Sequence, residues 1–239
     1  MKRLIALAAM VWAAPAVAVE CEDVTYADTD YSVCTVDVAS EDLRLFLRDD
    51  AENILGGFRN VNESLGAQQL SFAMNAGMYH DDRAPVGHFV QDGVEVMRVI
   101  PNAGPGNFGL LPNGVLCLTD TSARVIETLA FIDQAPTCRD ATQSGPMLVI
   151  DGDLHPRFLP DGTSQYIRNG VGTSADGRSA VFVISNQVVN FYDFASFFRD
   201  VSKTPNALYF DGKVSRLHAP VLGRSDPGFR LGPIIGVVE

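Results

Sequence analysis

The sequence predicts an α+β fold: a mainly antiparallel or mixed β-sheet with a few helices packed on it, in a single domain. After residue 90, Asp-Gly or Asn-Gly pairs occur seven times, most of them beside β-branched or aromatic residues; their first residues are 92, 113, 151, 161, 169, 176 and 211. Such pairs are the strongest short-range signal for a β-hairpin. One later segment instead has the 3.6-residue period of a helix. Linkers, repeats and low-complexity runs do not interrupt residues 19–239, so we expect one domain.

The predicted helix has apolar side chains at positions i, i+3, i+4 and i+7: Phe194, Phe197, Phe198 and Val201. Asp193 is placed to cap its N-terminus. This spacing is typical of a stripe that faces a core rather than of aromatic residues that stack on a ligand. Strand-like runs at 179–184 and 207–210 flank the helix, which predicts a crossover connection onto a sheet.

The N-terminal part of the mature chain also favours strands. Residues 24–26 and 31–38 have the alternation of two short strands, and residues 43–47 are a weaker candidate for a third. Polar residues and glycines at 49–67 indicate a turn or a short helix.

Residues 1–18 have the pattern of a secretory signal. Lys2 and Arg3 are followed by an apolar run and by the small residues Ala16-Val17-Ala18. We expect cleavage after Ala18 and a periplasmic or secreted protein. The apolar run is shorter than a membrane span, which needs about 18 apolar residues, and no later run approaches that length.

The four cysteines fit an exported protein. Pairing of near neighbours, Cys21–Cys34 and Cys117–Cys138, is the simplest of the three possible connectivities. Disulfides form in oxidising compartments such as the periplasm. We therefore predict these two bridges as staples on a chain long enough to bury a core without them.

The charge balance narrows the class of partner. Without Lys2 and Arg3 the chain has 16 basic and 29 acidic residues, a net charge of −13. This balance argues against nucleic acid or an anionic membrane as a partner. It does not conflict with a small anionic substrate, because one arginine in a pocket acts at shorter range than the distant surface charges.

Four stretches combine a strand-like run, a polar side chain and a glycine. They are residues 71–80, 142–147, 168–172 and 207–212. Their polar side chains, Asn75, Gln143, Arg168 and Asp211, supply two amides, a guanidinium and a carboxylate. The structural alternative for both amides is a side chain that satisfies loop backbone groups. For Asp211 it is the turn chemistry of an ordinary Asp-Gly pair.

The order of these motifs resembles the phosphodiester glycosidase family. The resemblance covers residues 70–237 and lies in five motifs: Asn75-Ala-Gly-Met-Tyr, Pro85-Val-Gly-His-Phe-Val with Asp92-Gly93, Gln143-Ser-Gly-Pro-Met-Leu-Val with Asp151-Gly152, Arg168-Asn-Gly-Val-Gly, and Tyr209-Phe-Asp-Gly. The family includes the uncovering enzyme, which removes N-acetylglucosamine from a sugar phosphodiester, and many bacterial exported proteins. The resemblance assigns residues 19–239 to one phosphodiester glycosidase-like domain.

In two departures from the family pattern, the chain resembles a bacterial exported subgroup of unassigned substrate. Asp211-Gly212 is followed by Lys213-Val-Ser-Arg, where members similar to the uncovering enzyme have a run of glycines and then serines. The arginine motif reads Arg168-Asn-Gly-Val-Gly rather than Arg-Thr-Ala-Ile-Gly. The missing glycine run motivates an alternative function, a non-catalytic periplasmic protein that binds an anionic glycan in the same pocket. A structural or assembly factor is a third possibility.

The residue types suit cleavage of a sugar–phosphate linkage. Arg168 can hold phosphate oxygens in a bidentate fork. Asp211 can stabilise or attack the anomeric carbon as positive charge develops there. His80 is a candidate acid or base, its alternative being an ordinary exposed loop histidine. Eight residues are predicted to bind the carbohydrate or sugar-phosphate substrate: Asn75, Gly77, Tyr79, Gln143, Ser144, Gly145, Asn169 and Gly212.

The sequence predicts no cofactor. The four histidines do not have the spacing of a metal cage. Asp81 and Asp82 are oxygen ligands of the type that calcium uses, but two adjacent acids are a weak signal, and calcium stays an open alternative. The oligomeric state also stays open.

Overall fold

The computed structural model describes residues 19–212 and 214–239, so the predicted signal at 1–18 lies outside the described residues. The strands, numbered in chain order, form three antiparallel sheets. From edge to edge, the first sheet is β1 (Glu20–Tyr26), β2 (Thr29–Asp37), β13 (Ser179–Ser185), β12 (Asn169–Thr173), β14 (Asn206–Tyr209), β10 (Met147–Ile150) and β11 (Asp153–Leu154). The second is β16 (Arg224–Ser225), β15 (Leu217–Ala219), β4 (Leu70–Asn75), β17 (Ile234–Val238) and β3 (Asp42–Phe46). The third is β6 (Val94–Met97), β5 (Phe89–Gln91), β9 (Asp140–Ser144), β7 (Gly114–Leu118) and β8 (Ala123–Glu127).

One apolar cluster joins the inner faces of all three sheets. Phe182 belongs to the first sheet, Phe72 to the second and Leu116 to the third, and all three side chains are fully buried. The outer face of each sheet is covered by one helix: α1 (Phe58–Ser64) on the second, α2 (Thr128–Gln134) on the third and α3 (Phe191–Asp200) on the first. Side chains alternate between the two faces of a strand, so each sheet contributes residues to the central cluster and to the cluster beneath its own helix. The predicted α+β fold is confirmed.

Helix α3 confirms three of the four predicted core positions and corrects the fourth and the cap. Phe194, Phe197 and Phe198 are fully buried against the first sheet. The prediction of Val201 as a core residue is wrong, because the helix ends at Asp200 and Val201, its C-cap, is 38 % exposed. The capping side chain is Asn190, whose Oδ1 accepts from the Asp193 N–H at 2.8 Å, so the prediction of Asp193 as the cap is wrong. Strand β12 lies between β13 and β14 and is antiparallel to both, so these two run parallel and α3 makes the predicted crossover.

Three of the seven Asp-Gly or Asn-Gly pairs are hairpin turns: Asp92-Gly93, Asp151-Gly152 and Asp176-Gly177. The hairpin predicted at Asn113-Gly114 is wrong, because the buried Asn113 instead anchors a loop by donating to the Phe108 carbonyl at 2.9 Å. Gly170 lies inside β12, where an added Cβ would come 2.6 Å from the Leu208 carbonyl oxygen. Asp161-Gly162 and Asp211-Gly212 lie in loops.

Both predicted disulfides, Cys21–Cys34 and Cys117–Cys138, are present. The first joins paired positions of β1 and β2. The second ties β7 to the segment before β9, at the outer face of the third sheet. Among the residues that the structure describes, no helix has the length and hydropathy of a membrane span.

Candidate functional site

A cleft of two adjoining lobes opens beside the loop that follows β14. The polar lobe, of about 240 Å³, is lined by Gly106, Asn107, Ser164, Tyr166, Tyr209 and Gly212. The second, of about 380 Å³, has Ser215, Arg216, Gly228 and Phe229 in its wall, and we call it the Phe229 lobe. Tyr166 and Gly212 line both lobes. The residue after Asp211 therefore stands at the division between them.

A buried pair of amides joins two sheets at the base of this loop. Asn75 ends β4 of the second sheet and Asn169 begins β12 of the first, and both are fully buried. Asn169 Nδ2 donates to the Asn75 carbonyl at 2.9 Å and to Asn75 Oδ1 at 3.2 Å. Asn75 Nδ2 donates to Asn169 Oδ1 at 3.3 Å, and Ser215 Oγ lies 3.0 Å from the same oxygen.

The same amide of Asn75 holds the loop at two points. Its Nδ2 donates to the Asp211 carbonyl at 2.9 Å, and its Oδ1 accepts from the Arg216 N–H at 2.9 Å. The Asp211 N–H also reaches the Ala76 carbonyl at 3.3 Å. Asn75 and Asn169 were predicted to bind substrate. In this structure their amides bind each other and the 211–216 loop, so they position the cleft from beneath.

Asp211 is partly exposed and lies among phenols. Burial is the main cause that raises the pKa of Tyr79, and the negative charge of Asp211 raises it further. The same two causes raise the pKa of Tyr209 to about 12. The Asp211 carboxylate is therefore close enough to act on both rings electrostatically.

Arg168 is fully buried and makes its hydrogen bonds with the protein. Its Nε donates to the Val189 carbonyl at 2.9 Å, Nη1 to the Tyr209 hydroxyl at 3.1 Å and Nη2 to the Ser164 carbonyl at 2.7 Å. The guanidinium lies 3.6 Å from the centroid of the Phe191 ring. Ser164, Tyr166 and Tyr209 separate it from the cleft, since all three line the polar lobe.

The charge of Arg168 has no acidic partner in the part of the chain that the structure describes: no Asp or Glu there forms an ion pair with it. Burial lowers its pKa, and the phenols of Tyr209 and Tyr166 offset part of that effect. Burying an unpaired guanidinium is costly, so its positive potential directly behind the cleft wall requires a functional or structural reason.

Tyr209 connects Arg168 to the polar lobe. Its hydroxyl oxygen accepts from Arg168 Nη1 and from the backbone N–H of Gly212. Both acceptor positions are then occupied, and the raised pKa keeps the proton on the phenol, so the O–H remains a donor. A Cβ on Gly212 would lie 1.6 Å from the Tyr209 hydroxyl oxygen. Glycine is thus required here for close approach.

The Gln143 motif lies elsewhere, inside the third sheet. Gln143 Oε1 accepts from the N–H groups of His88 and Ile100, each at 3.0 Å. Its Nε2 donates to the Ile100 carbonyl at 2.8 Å and to Thr128 Oγ1 at 3.1 Å. The side chain is 2 % exposed and its hydrogen-bonding groups are all occupied by protein. The observed role of Gln143 is thus the structural alternative, support of neighbouring backbone groups.

The three glycine and serine neighbours of this motif are also internal. A Cβ on Gly77 would lie 2.6 Å from the Gln143 carbonyl oxygen, and one on Gly145 would lie 2.5 Å from the Asn113 Cβ. Ser144 is fully buried, and its Oγ has no hydrogen-bond partner among the described side chains and backbone. Neither lobe is lined by these residues.

Tyr79 and His80 belong to an exposed turn. The His80 N–H donates to the Ala84 carbonyl at 2.8 Å, and the His80 side chain is exposed. Tyr79 is half-buried, with its hydroxyl 3.4 Å from the Arg230 carbonyl. Both residues stand outside the linings of the two lobes, as do Asp81 and Asp82. Within residues 19–212 and 214–239, no three His, Cys, Asp or Glu side chains gather as metal ligands.

Tyr166, Arg216 and Phe229 are among the cleft residues that the sequence did not predict. Tyr166 is 51 % exposed and Phe229 is 86 % exposed, although both are large aromatic residues. The signal for Phe229 was its place after Pro227-Gly228, because a loop signal with an aromatic residue points to a side chain outside the core. Arg216 had no such signal, since its burial depends on the loop's path.

Comparison with known sequences identifies the family. The family model described as phosphodiester glycosidase matches residues 68–219. The uncharacterized protein YigE of Escherichia coli (strain K12) is 31 % identical over 207 residues, which cover 85 % of this chain and 81 % of YigE. The segment matched by the family model contains both amides, Arg168, Asp211 and Arg216.

Solved structures show the same fold at low sequence identity. The zebrafish N-acetylglucosamine-1-phosphodiester alpha-N-acetylglucosaminidase catalytic domain, auto-inhibited by its propeptide, superposes with a TM-score of 0.62 at 13 % identity and covers 92 % of this chain and 81 % of that domain. A protein of Burkholderia pseudomallei K96243 whose name calls it exported has a TM-score of 0.56 at 12 % identity, over 87 % of this chain and 74 % of that one. By sequence and by fold, the chain belongs to the phosphodiester glycosidase family.

Proposed function

We propose that the protein is an exported hydrolase that cleaves the glycosidic bond of a sugar phosphodiester. The observation that carries this proposal is the position of Asp211. Asp211 itself lines neither lobe, but Gly212, the residue after it, lines both. The cleft has a guanidinium on each side, Arg168 behind one lobe and Arg216 in the wall of the other, and neither forms an ion pair within residues 19–212 and 214–239. A carboxylate one residue from a cleft that two cationic groups border suits a substrate with a developing positive anomeric carbon and a negative phosphate.

In the proposed reaction the bond between the anomeric carbon and the phosphate oxygen breaks, and the electron pair leaves with the phosphate. Asp211 stabilises the positive charge on the anomeric carbon or attacks it. A water molecule then supplies the new hydroxyl group and one proton. The products are the free sugar and a phosphomonoester. Phosphate is already a good leaving group, so the step needs little help from a general acid.

Arg168 is proposed to act through Tyr209 rather than through a fork to phosphate. Three of its nitrogens already donate to protein oxygens, and a direct contact would require some of these bonds to break. Held in place, it adds positive potential to the polar lobe and fixes the Tyr209 hydroxyl as a donor. His80 stays a proposed acid or base only if the turn at 80–84 moves toward the cleft.

The proposed substrate is a glycan phosphodiester of the N-acetylglucosamine-1-phosphodiester type, or a related linkage in cell-envelope or exopolysaccharide material. Family membership supports the glycosidase chemistry. The two disulfides support export to an oxidising compartment, which is where such material is found.

The test is hydrolysis of a chromogenic N-acetylglucosamine phosphodiester by purified mature protein. We expect Asp211→Asn to lower kcat about 10³-fold, because it removes the negative charge while keeping the side-chain size. Asp161→Asn is the matched control, an Asp-Gly pair in another exposed loop, and should retain full activity. Unchanged turnover by Asp211→Asn would refute the assigned role.

The same assay tests the alternative of a glycan-binding protein. If the unmodified protein binds a sugar phosphate but forms no product on prolonged incubation, the cleft is a binding site and the hydrolase proposal fails. The motive for this alternative in the sequence is the missing glycine run after Asp211.

A further inference from the structure

Arg216 forms part of the wall of the Phe229 lobe, in contrast to Arg168, which lies behind a wall. It follows the loop residue Ser215 directly and precedes β15, and it is 9 % exposed. Its Nη2 donates to the Phe229 carbonyl. That is its one side-chain hydrogen bond among the described residues, so Nε and Nη1 keep their N–H groups for another acceptor.

The charge of Arg216 is not neutralised by an ion pair within residues 19–212 and 214–239. The acidic residue that acts on it is Asp226, which already receives two bonds from Arg224, at 2.9 and 2.8 Å, and one from the Leu217 N–H at 2.9 Å. The phenol of Tyr79 is the other group that acts on it. A buried cation with vacant donors and no ion-paired carboxylate among the described residues favours an anionic ligand.

The position of Arg216 is fixed from three sides. Its backbone N–H binds Asn75 Oδ1, and its side chain binds the Phe229 carbonyl. A Cβ on Gly228 would lie 3.2 Å from Arg216 Nη1, and Gly228 has a φ of +154°, so a glycine packs closely on the guanidinium. A donor group held this way loses little conformational freedom on binding.

We propose that Arg216 binds the phosphate of the substrate in the Phe229 lobe, opposite the division formed by Gly212. This inference rests on the proposed function and goes further by assigning the phosphate contact to a specific residue and lobe. The planar guanidinium offers two parallel N–H groups to phosphate oxygens, a geometry that lysine lacks. The exposed ring of Phe229 borders the same lobe and covers the apolar part of the bound molecule.

The test is calorimetric binding of two ligands, N-acetylglucosamine 1-phosphate and neutral N-acetylglucosamine, to the mature protein. We expect Arg216→Gln to weaken the sugar phosphate about thirtyfold or more and to leave the neutral sugar unchanged. Arg216→Lys keeps the charge but loses the fork, so an intermediate loss of about tenfold is expected. Arg59→Gln is the matched control, because Arg59 is an exposed arginine whose partner is Glu63.

Three results would overturn the inference. In the first, the Arg216→Gln variant binds the sugar phosphate normally. In the second, Arg216→Gln weakens the binding of both ligands equally, which indicates a structural role for Arg216. In the third, the unmodified protein does not bind the sugar phosphate. These results differ from failure of the proposed function. If Arg216→Gln loses only the sugar phosphate but the protein releases no sugar from a phosphodiester, the phosphate site stands and the hydrolase proposal falls.

Discussion

Arg168 and Arg216 lie at the same cleft and differ in what their guanidinium groups bind. Burial lowers the pKa of both, and neither forms an ion pair with a carboxylate of the described residues. The Arg168 guanidinium donates to Val189, Tyr209 and Ser164, whereas among the described residues the Arg216 guanidinium donates only to the Phe229 carbonyl. Burial and charge therefore do not by themselves identify a ligand-binding arginine. A ligand-binding arginine is identified instead by the N–H groups that remain unused after its hydrogen bonds to the protein.

The largest effect expected from this comparison is on stability. Arg168→Met removes a buried side chain that satisfies two buried acceptors, the Val189 carbonyl and the Tyr209 hydroxyl, and the Ser164 carbonyl at the cleft wall, so the free energy of unfolding should fall by about 3–5 kcal/mol. Arg216→Gln removes one hydrogen bond and should cost about 1 kcal/mol. Urea denaturation of both variants measures the difference. Equal losses would show that the two arginines have the same structural role.

Gln143 extends the comparison from guanidinium to amide. Its four hydrogen bonds are all to protein, so Gln143→Ala should lower the free energy of unfolding by about 2–3 kcal/mol and leave sugar-phosphate binding unchanged. Gln68, which is exposed, supplies the control Gln68→Ala. Thermal denaturation and calorimetry on the same samples give both readouts. A selective loss of binding in Gln143→Ala would restore the predicted substrate role of Gln143.

The smallest expected effect is the pH dependence of stability that comes from three histidines, because burial disfavours their charged form as it does for the two arginines. Burial lowers the pKa of His88, His155 and His218 below the ordinary value of 6.5. As the pH falls, these histidines are protonated in the unfolded chain before they are protonated in the folded one, which favours the unfolded state. Their contribution to the free energy of unfolding is therefore present above about pH 6.5 and is lost as the pH falls through the folded pKa values. Urea midpoints measured from pH 7.5 to 5 should decrease, less steeply in His88→Gln. An identical slope in His88→Gln would contradict this.

Much of the fold could be predicted because its signals are local. Hairpin turns at Asp92, Asp151 and Asp176, the stripe of Phe194 and both disulfides depend on short stretches of sequence. The failures arose where tertiary contacts outweigh a local signal. Asn169-Gly170 has the composition of a turn, yet it lies in β12 because Gly170 allows close approach of the Leu208 carbonyl oxygen.

The site was predicted only in part, because local sequence signals do not show tertiary contacts. The sequence predicted one site that contains Asn75, Gln143, Arg168 and Asp211. Asn75, Arg168 and Asp211 lie near the same loop, since each ends, precedes or follows a strand there, whereas Gln143 lies in the third sheet. The sequence could not show which of their polar atoms face the cleft. Asn75 and Gln143 have the same chemistry and similar glycine neighbours, but one supports the 211–216 loop and the other supports the third sheet. Arg216 was missed because its burial is created by Gly228 and Phe229 from a distant loop.

The most direct measurement is a crystal structure of the Asp211→Asn variant soaked with N-acetylglucosamine 1-phosphate. We predict the phosphate in the Phe229 lobe, with its oxygens within hydrogen-bond distance of Arg216 Nε or Nη1 and the anomeric carbon turned toward residue 211. Arg168 should keep its bonds to Val189, Tyr209 and Ser164. Phosphate bound instead in the groove of about 700 Å³ beside Arg44 and Arg48, or held by Arg168 with those bonds broken, would contradict the assignment of the phosphate to Arg216.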